Sequence, residues 1–345
     1  LIFKQASGTS RGVLTTKETY LLEISKNNKK GIGECAIFRG LSYDDVPDYE
    51  EKLTWLCENI HSDFEVLKKE LLHYPSIIFG LEQALLNLEH GEDLYFPSDF
   101  TDGKDSIKIN GLIWMGNADF MQSQIEEKLA KGFDCIKLKI GVDWKSEKEI
   151  IKKLREKFPK EQLELRVDAN GAFSYEEATI VLQELADLGI HSIEQPIKKS
   201  EVRSPKSEEN SEKKSTDCCI PWNKMARLCA ETPTPIALDE ELIGIIDFEE
   251  KKKLLETIKP QYIILKPALV GGFSGSDEWI AIAESLGINW WITSALESNI
   301  GLNAICQYTY TKKNPLPQGL GTGALFTNNF ETHLQLEGDQ MWHKK

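Results

Sequence analysis

The 345 residues predict an α/β chain whose larger part is a modified (β/α) barrel of the TIM type, preceded by an α+β capping segment. Three observations carry this. From about Ser106, short β-rich runs alternate with helical patterns of helix-plus-loop length, the signature of repeated βα units. Polar residues close those runs at a steady interval: from Lys139 to Asp168 is 29 residues, to Glu194 another 26, to Asp239 another 45, to Lys266 another 27 and to Ser294 another 28. The one long interval contains KKSEVRSPKSEENSEKKSTD, Lys198 to Asp217, a low-complexity tract of six basic and five acidic residues that cannot build a core. Read as an inserted loop at 198–217, it restores the period.

Taken in order, the first hundred residues mix strand-like pieces with two amphipathic helices, Tyr49 to Asn59 and Ile78 to Glu89. Between the early strands, GIGECAIFRGLS (Gly31 to Ser42) reads as an exposed loop because of its glycines and polar residues. The strand candidates of the second part are SIKIN, CIKLKI, LELRVDA, HSIEQPI, TPIALDE, YIILKP, NWWITS and QGLGTG. These divide the chain into a cap at 1–105 and a barrel at 106–321. Barrels of this type gather catalytic groups at the carboxyl ends of their strands, where the periodic polar residues fall.

Composition narrows the function class. The chain is 41% hydrophobic, 28% charged and 9% aromatic, a globular profile, and 41 basic against 55 acidic residues give −14, which repels nucleic-acid backbones and anionic lipid surfaces. No run approaches the roughly 18–20 apolar residues of a membrane span. The opening LIFKQASGTSRG lacks the apolar core and cleavage site of a secretory signal, so a cytoplasmic location is expected. Seven cysteines without a CxxC pair predict reduced thiols, and six histidines without HxH or HExxH spacing predict no zinc site. Two glycine-rich stretches, GGFSGS at Gly271 to Ser276 and GLGTG at Gly319 to Gly323, could cradle a phosphate through backbone N–H groups, although neither matches a Walker motif or a complete GxGxxG. Nothing in the sequence specifies an oligomeric state.

The chemistry lies in the strand ends. Lys137 and Lys139 are two apart and share a strand face, either a solvated edge or, in a closed barrel, the inward mouth. Asp168 in RVDAN, Glu194 in IEQPI and Asp239 in ALDEE end three successive strands. Each could cap the helix that follows. Converging, they would raise one another's pKa unless a cation held them, and an all-oxygen site suits Mg²⁺. Lys266 in YIILKP is an isolated cation at the end of a buried strand, where burial lowers an ammonium's pKa toward that of a base, and an ion pair with Glu240 or Glu241 could orient it. A metal that chelates a substrate carboxylate stabilises the enediolate formed when a lysine removes the α-proton.

KLK at Lys137 to Lys139, DAN at Asp168 to Asn170, EQP at Glu194 to Pro196, DE at Asp239 and Glu240, and KP at Lys266 and Pro267 resemble the muconate-lactonising-enzyme branch of the enolase superfamily, and within it the o-succinylbenzoate synthase family. GLS at Gly40 to Ser42 and SALESNIGL from Ser294 resemble that family's cap loop and seventh-strand loop. The resemblance implies an enolase-like fold in which 322–345 returns to the cap. It implies Mg²⁺, with Mn²⁺ as a substitute, on Asp168, Glu194 and Asp239, supported by Asn170 and Glu240. It implies Lys139 as base and then acid, Lys266 as a cation against developing negative charge, and Lys137 lowering the pKa of Lys139 by repulsion. Arg166, Ser42, Ser294 and Gly323 would contact the substrate. The implied reaction is dehydration of 2-succinyl-6-hydroxy-2,4-cyclohexadiene-1-carboxylate to o-succinylbenzoate, a menaquinone-pathway step. The alternative within the branch is an N-acylamino acid racemase or dipeptide epimerase using the same two lysines as opposed acid and base.

Overall fold

The computed structural model describes residues 1–9, 12–199 and 222–344. Two antiparallel hairpins open it, β1 (Ile2–Thr9) with β2 (Gly12–Thr16) and β3 (Tyr20–Lys26) with β4 (Lys29–Cys35). Three helices follow, α1 (Tyr49–Asn59), α2 (Phe64–Glu70) and α3 (Pro75–His90). Leu22, Ile24, Leu56, Leu67, Ile77 and Leu81 bury a core of their own between hairpin and helices. The seven-residue α2 escapes periodicity because it is under two turns long and buries only Leu67.

The glycine-bearing stretch at Gly31 to Ser42 corrects the expectation of an exposed loop. Residues 31–35 are the inner part of β4, and its glycines serve close packing: a Cβ on Gly33 would lie 1.9 Å from the Gly80 carbonyl oxygen of α3. The helix backbone rests directly on the strand, which no larger residue permits. Only the turn from Phe38 to Ser42 projects as a loop.

After β5 (Ile107–Lys108), the strands β6 (Gly111–Ile113), β7 (Cys135–Lys139), β8 (Glu164–Asp168), β9 (Ser192–Glu194), β10 (Ile236–Leu238), β11 (Tyr262–Leu265) and β12 (Asn289–Ile292) alternate with α4 (Ala118–Ala130), α5 (Trp144–Lys157), α6 (Tyr175–Asp187), α7 (Asn223–Glu231), α8 (Phe248–Ile258), α9 (Pro267–Val270), α10 (Gly272–Ser285) and α11 (Asn299–Thr311). The strands β6 to β12 pair in sequence order as one seven-stranded parallel sheet. QGLGTG is not a full strand. Gln318 and Gly319 bridge the two edges instead: Asn110 N–H donates to Gln318 O (2.9 Å) and Gly319 N–H to Ile292 O (2.8 Å). SIKIN likewise divides, its first half pairing as β5 with residues 340 and 341 near the C-terminus and its second leading into β6.

The segment 322–345 has two partners. Leu325 and Thr327 hydrogen-bond to β1, with the rings of Phe3 and Phe326 4.7 Å apart, while the hairpin β13 (Leu334–Glu337) and β14 (Gln340–His343) adds to β5. The tract at 198–217 lies outside the described residues except for Lys198 and Lys199. No helix among the described residues is long and apolar enough to cross a membrane.

Two buried carboxylates of the N-terminal part fasten it to barrel helices. Glu34 on β4 accepts from Ser298 N–H (2.9 Å), Ser298 Oγ (2.5 Å), Gly301 N–H (2.9 Å) and Thr19 Oγ1 (2.8 Å), at the start of α11. Glu82 on α3 accepts from Phe273 and Ser274 N–H (2.5 and 3.2 Å) at the start of α10. This answers the phosphate reading of GGFSGS, since the helix N-terminus that would hold an anion already holds Glu82. Gly272 has φ +75° and a Cβ there would lie 2.2 Å from a Glu82 carboxylate oxygen, so glycine is required twice over.

Candidate active site

The register of β7, β8 and β9 brings the motif residues into one layer. Lys139 lies opposite Asp168 and Asp168 opposite Glu194, with Lys137 one layer below, opposite Arg166. The helix-capping alternative for the acids fails. The helices that follow them are capped elsewhere, α6 by a capping box of Ser174 and Glu177 and α8 by Asp247, while Asp239 precedes its 3₁₀ turn without a side-chain cap bond.

Each acid instead carries an ammonium group. Lys139 Nζ donates to Asp168 Oδ2 (2.9 Å) and Asn170 Oδ1 (2.8 Å). Lys137 Nζ lies 2.8 and 2.9 Å from the two oxygens of Glu194 and 3.9 Å from Asp168. Lys266 Nζ bonds Asp239 Oδ2 at 2.5 Å. The expected partner of Lys266 was Glu240 or Glu241, but Glu240 accepts from Asn170 Nδ2 (3.1 Å) and Glu241 from Gln195 Nε2 (3.1 Å). The side chains of Asp168, Glu194 and Asp239 are 3%, 0% and 1% exposed, those of Lys139 and Lys266 12% each, so the lysines are the reachable edge of a buried charge cluster.

Burial dominates the electrostatics here, and the paired charges decide its sign. It works against ionisation of Asp168, yet Lys139, Lys137 and Lys266 outweigh it and hold that carboxyl well below the usual range. Burial pushes Glu194 up to about 7, with Asp168 and Asp239 adding to the rise and Lys137 opposing it. Burial would pull Lys266 down, but Asp239, Glu240 and Asp168 lift it above the ordinary lysine range, opposite to the depressed value expected from the sequence. Lys137 is likewise held up by Glu194 and Asp168 against its burial.

The cluster floors a cavity that opens to solvent. Lys137, Lys139, Asp168, Asn170 and Lys266 face it from the barrel. Phe38 and Leu41 from the cap loop, with Leu112, Trp114 and Leu296, form an apolar wall, and the Lys139 ammonium sits 6.0 Å from the Trp114 ring centroid. Ser294 lines it too, but its Oγ donates to Glu297 (2.5 Å) and accepts from Thr322 Oγ1 (2.8 Å), leaving Thr322 beside it on the wall.

Three residues expected at the substrate lie elsewhere. Arg166, although on the same strand face as Asp168, sits a layer deeper, fully buried, its guanidinium 4.2 Å over the Trp291 ring and bonded to Glu164 (2.7 Å) and Pro317 O (2.9 Å). Ser42 accepts from Phe38 N–H (2.8 Å) and shapes the cap turn whose Leu41 reaches the cavity. Gly323 lies beyond the lining, its carbonyl accepting from Asn329, while Gly321 and Thr322 face the cavity. Of the lining residues, Phe38 and Trp114 belong to no motif that points to a substrate, while Leu41 falls within GLS and Thr322 within GLGTG without being singled out. Their one common signal is position, beside a motif glycine or just after a strand.

A divalent cation fits this donor set. Asp168, Glu194 and Asp239 are buried together, the two aspartates adding to the rise that burial gives Glu194, and oxygen-only carboxylates are the ligands of hard divalent ions, although their oxygens do not all lie within 4.8 Å of one another with the ammonium groups between them. Their oxygens are currently balanced by three ammonium groups, which a metal would displace.

Comparison with known proteins adds the following. A family model described as enolase C-terminal domain-like matches residues 121–207 and 217–340, and one described as MenC, N-terminal domain, matches residues 9–88. An o-succinylbenzoate synthase of Desulfotalea psychrophila (strain LSv54 / DSM 12343) is 42% identical over 371 residues, covering 98% of this chain and 95% of that protein. The crystal structure of MenC from Desulfotalea psychrophila LSv54 superposes with a TM-score of 0.80 at 39% identity, covering 99% of this chain and 97% of that one. The substrate-liganded L-Ala-D/L-Glu epimerase of Bacillus subtilis superposes with a TM-score of 0.79 at 19% identity, covering 99% and 93%, and shares the fold.

Proposed function

The chain belongs to the o-succinylbenzoate synthase family of the enolase superfamily, and from that premise we propose that it is a metal-dependent dehydratase converting 2-succinyl-6-hydroxy-2,4-cyclohexadiene-1-carboxylate to o-succinylbenzoate. The observation that supports this most is the cavity floor, where Lys139 and Lys266 stand over three buried carboxylates beneath an apolar wall.

Asp168, Glu194 and Asp239 would hold Mg²⁺, or Mn²⁺ in its place, and that ion supplies positive charge to the substrate carboxylate. Lys139 takes the proton from the ring carbon bearing that carboxylate. It then returns the proton to the departing ring hydroxyl, which leaves as water, and the ring becomes aromatic. Lys139 must first be free of Asp168, and a cation on the carboxylates would release it. Asn170 and Glu240 keep the lysine and ligand layer in register. Lys266, an ammonium beside Asp239 on the opposite side of the cavity floor from Lys139, is suited to face developing negative charge. Residues 1–105 act as the cap that contributes Phe38 and Leu41, and 106–321 as the catalytic barrel. Free cysteines at positions 35, 57, 135, 229 and 306 suit a reducing cytoplasm.

The test is absorbance-followed turnover of the cyclohexadiene carboxylate with Mg²⁺ and again with EDTA. Metal-dependent formation of o-succinylbenzoate is the expected result. Absence of turnover in a folded, metal-binding chain would overturn the substrate assignment.

A further inference from the structure

Outside the lining of the cavity, three side chains from distant parts of the chain meet. His333 Nδ1 lies 2.6 Å from Asp93 Oδ2 and His343 Nε2 lies 3.0 Å from the same oxygen. The three ligand atoms fall within 4.8 Å of one another, the one such His/Cys/Asp/Glu group among the described residues. His343 is fully buried, Asp93 half-buried, and the other Asp93 oxygen, Oδ1, is buried with no hydrogen-bond partner. Neither HxH nor HExxH spacing describes this pair. The two histidines are ten residues apart and are brought together by the β13–β14 hairpin, in which Leu334 pairs with His343.

We propose that Asp93, His333 and His343 form a second metal site, a two-histidine, one-carboxylate clip for a Zn²⁺-class ion, distinct from the oxygen-only site of the barrel. The donor chemistry separates the two: imidazole nitrogen favours zinc and its transition-metal neighbours, and three carboxylates favour Mg²⁺. The site is pre-positioned from outside. Asn303 Nδ2 and Gln307 Nε2 of α11 hold the Asp93 backbone carbonyl (2.9 and 2.8 Å), and Phe100 and His343 pack ring against ring. Metal–ligand distances of about 2.0–2.2 Å need the three atoms slightly farther apart than now. His333, 44% exposed on the loop before β13, is the member free to move out and to leave a position open to water. A metal there would join residue 93, in the N-terminal part, to a hairpin about 240 residues later.

The experiment uses the full chain, stripped with EDTA and refilled with excess Mg²⁺ to occupy the carboxylates, then titrated with Zn²⁺ by calorimetry and with Co²⁺ by visible absorption. The expected result is one equivalent bound, cobalt d–d bands of nitrogen ligation at low coordination number, and a rise in Tm. In His333→Ala the bands and the metal-induced rise in Tm disappear, while Mg²⁺-dependent turnover stays at the parent value. Absence of binding overturns the proposal. So does binding that persists in His333→Ala and is lost in Asp239→Asn, because that zinc would belong to the barrel.

Discussion

Two regions of this molecule bury carboxylates, and they balance them by opposite means. At the barrel mouth, Asp168, Glu194 and Asp239 are met by the ammonium groups of Lys139, Lys137 and Lys266. At the seam between the N-terminal part and the barrel, Glu34 and Glu82 are met by backbone N–H groups at the starts of α11 and α10. Glu194 and Glu82 are each pushed up to about 7, but only Glu194 has neighbouring acids contributing to the rise. A backbone donor cannot leave, so the seam has one state. An ammonium can be displaced by a metal or lose a proton, so the mouth has several, and chemistry requires several.

The largest effect that tests this contrast is at Lys139. Lys139→Ala should lower kcat by about 10³-fold, within the usual range for removing a general acid–base. The Tm should move little, because Asp168 keeps Lys137 at 3.9 Å. Steady-state kinetics and calorimetric Mg²⁺ titration check both halves. If turnover survives and the fold weakens instead, the mouth lysines are fixed counter-ions like the seam donors, and the contrast collapses.

At the seam the order of effects reverses. Glu34→Ala strips acceptors from two backbone N–H groups and two hydroxyls in a buried interface, which should cost about 3 kcal/mol at the 1–3 kcal/mol typical of each orphaned donor, reduced by entering water. Urea unfolding measures it, and kcat of the remaining folded enzyme should hold within a few-fold. A loss confined to kcat would place Glu34 in the chemistry and not in the joint.

The same contrast explains which features could be read in advance. The mouth residues sit at strand ends at a fixed period, so Lys139, Asp168, Glu194, Asp239 and Lys266 are visible as one-dimensional spacing, and the barrel follows from the same count. The seam depends on contacts between residues far apart in the chain, 191 for Glu82 with Phe273 and 264 for Glu34 with Ser298, which no local period encodes. Gly31 and Gly33 look like loop residues because glycine's turn role and its close-packing role have the same composition. Arg166 satisfies the two-residue alternation with Asp168 yet lies deeper, since alternation gives a face of the sheet and not a depth in the barrel.

Glu82 sharpens the comparison at the smallest scale, because its environment should be readable as a pH dependence of stability. Its carboxyl is raised from 4.5 to about 7 in the folded chain by burial, against the donors from Ser274 and Phe273. The folded state therefore keeps a proton that the unfolded state has released between those values, and stability falls as pH rises through that window. Between pH 5 and 7 this residue alone should remove about 2 kcal/mol, at about 1.4 kcal/mol for each unit over which the two states differ in protonation. Glu82→Gln keeps an acceptor for the α10 N-terminus and has nothing to titrate. The stability advantage of the parent over this variant, from urea unfolding at each pH, should therefore shrink by about that amount across the window, with contributions from all other groups cancelling in the difference. Parallel profiles for parent and variant would mean that the helix N-terminus holds Glu82 ionised throughout, and that the seam balances its charge as completely as the lysines balance the mouth.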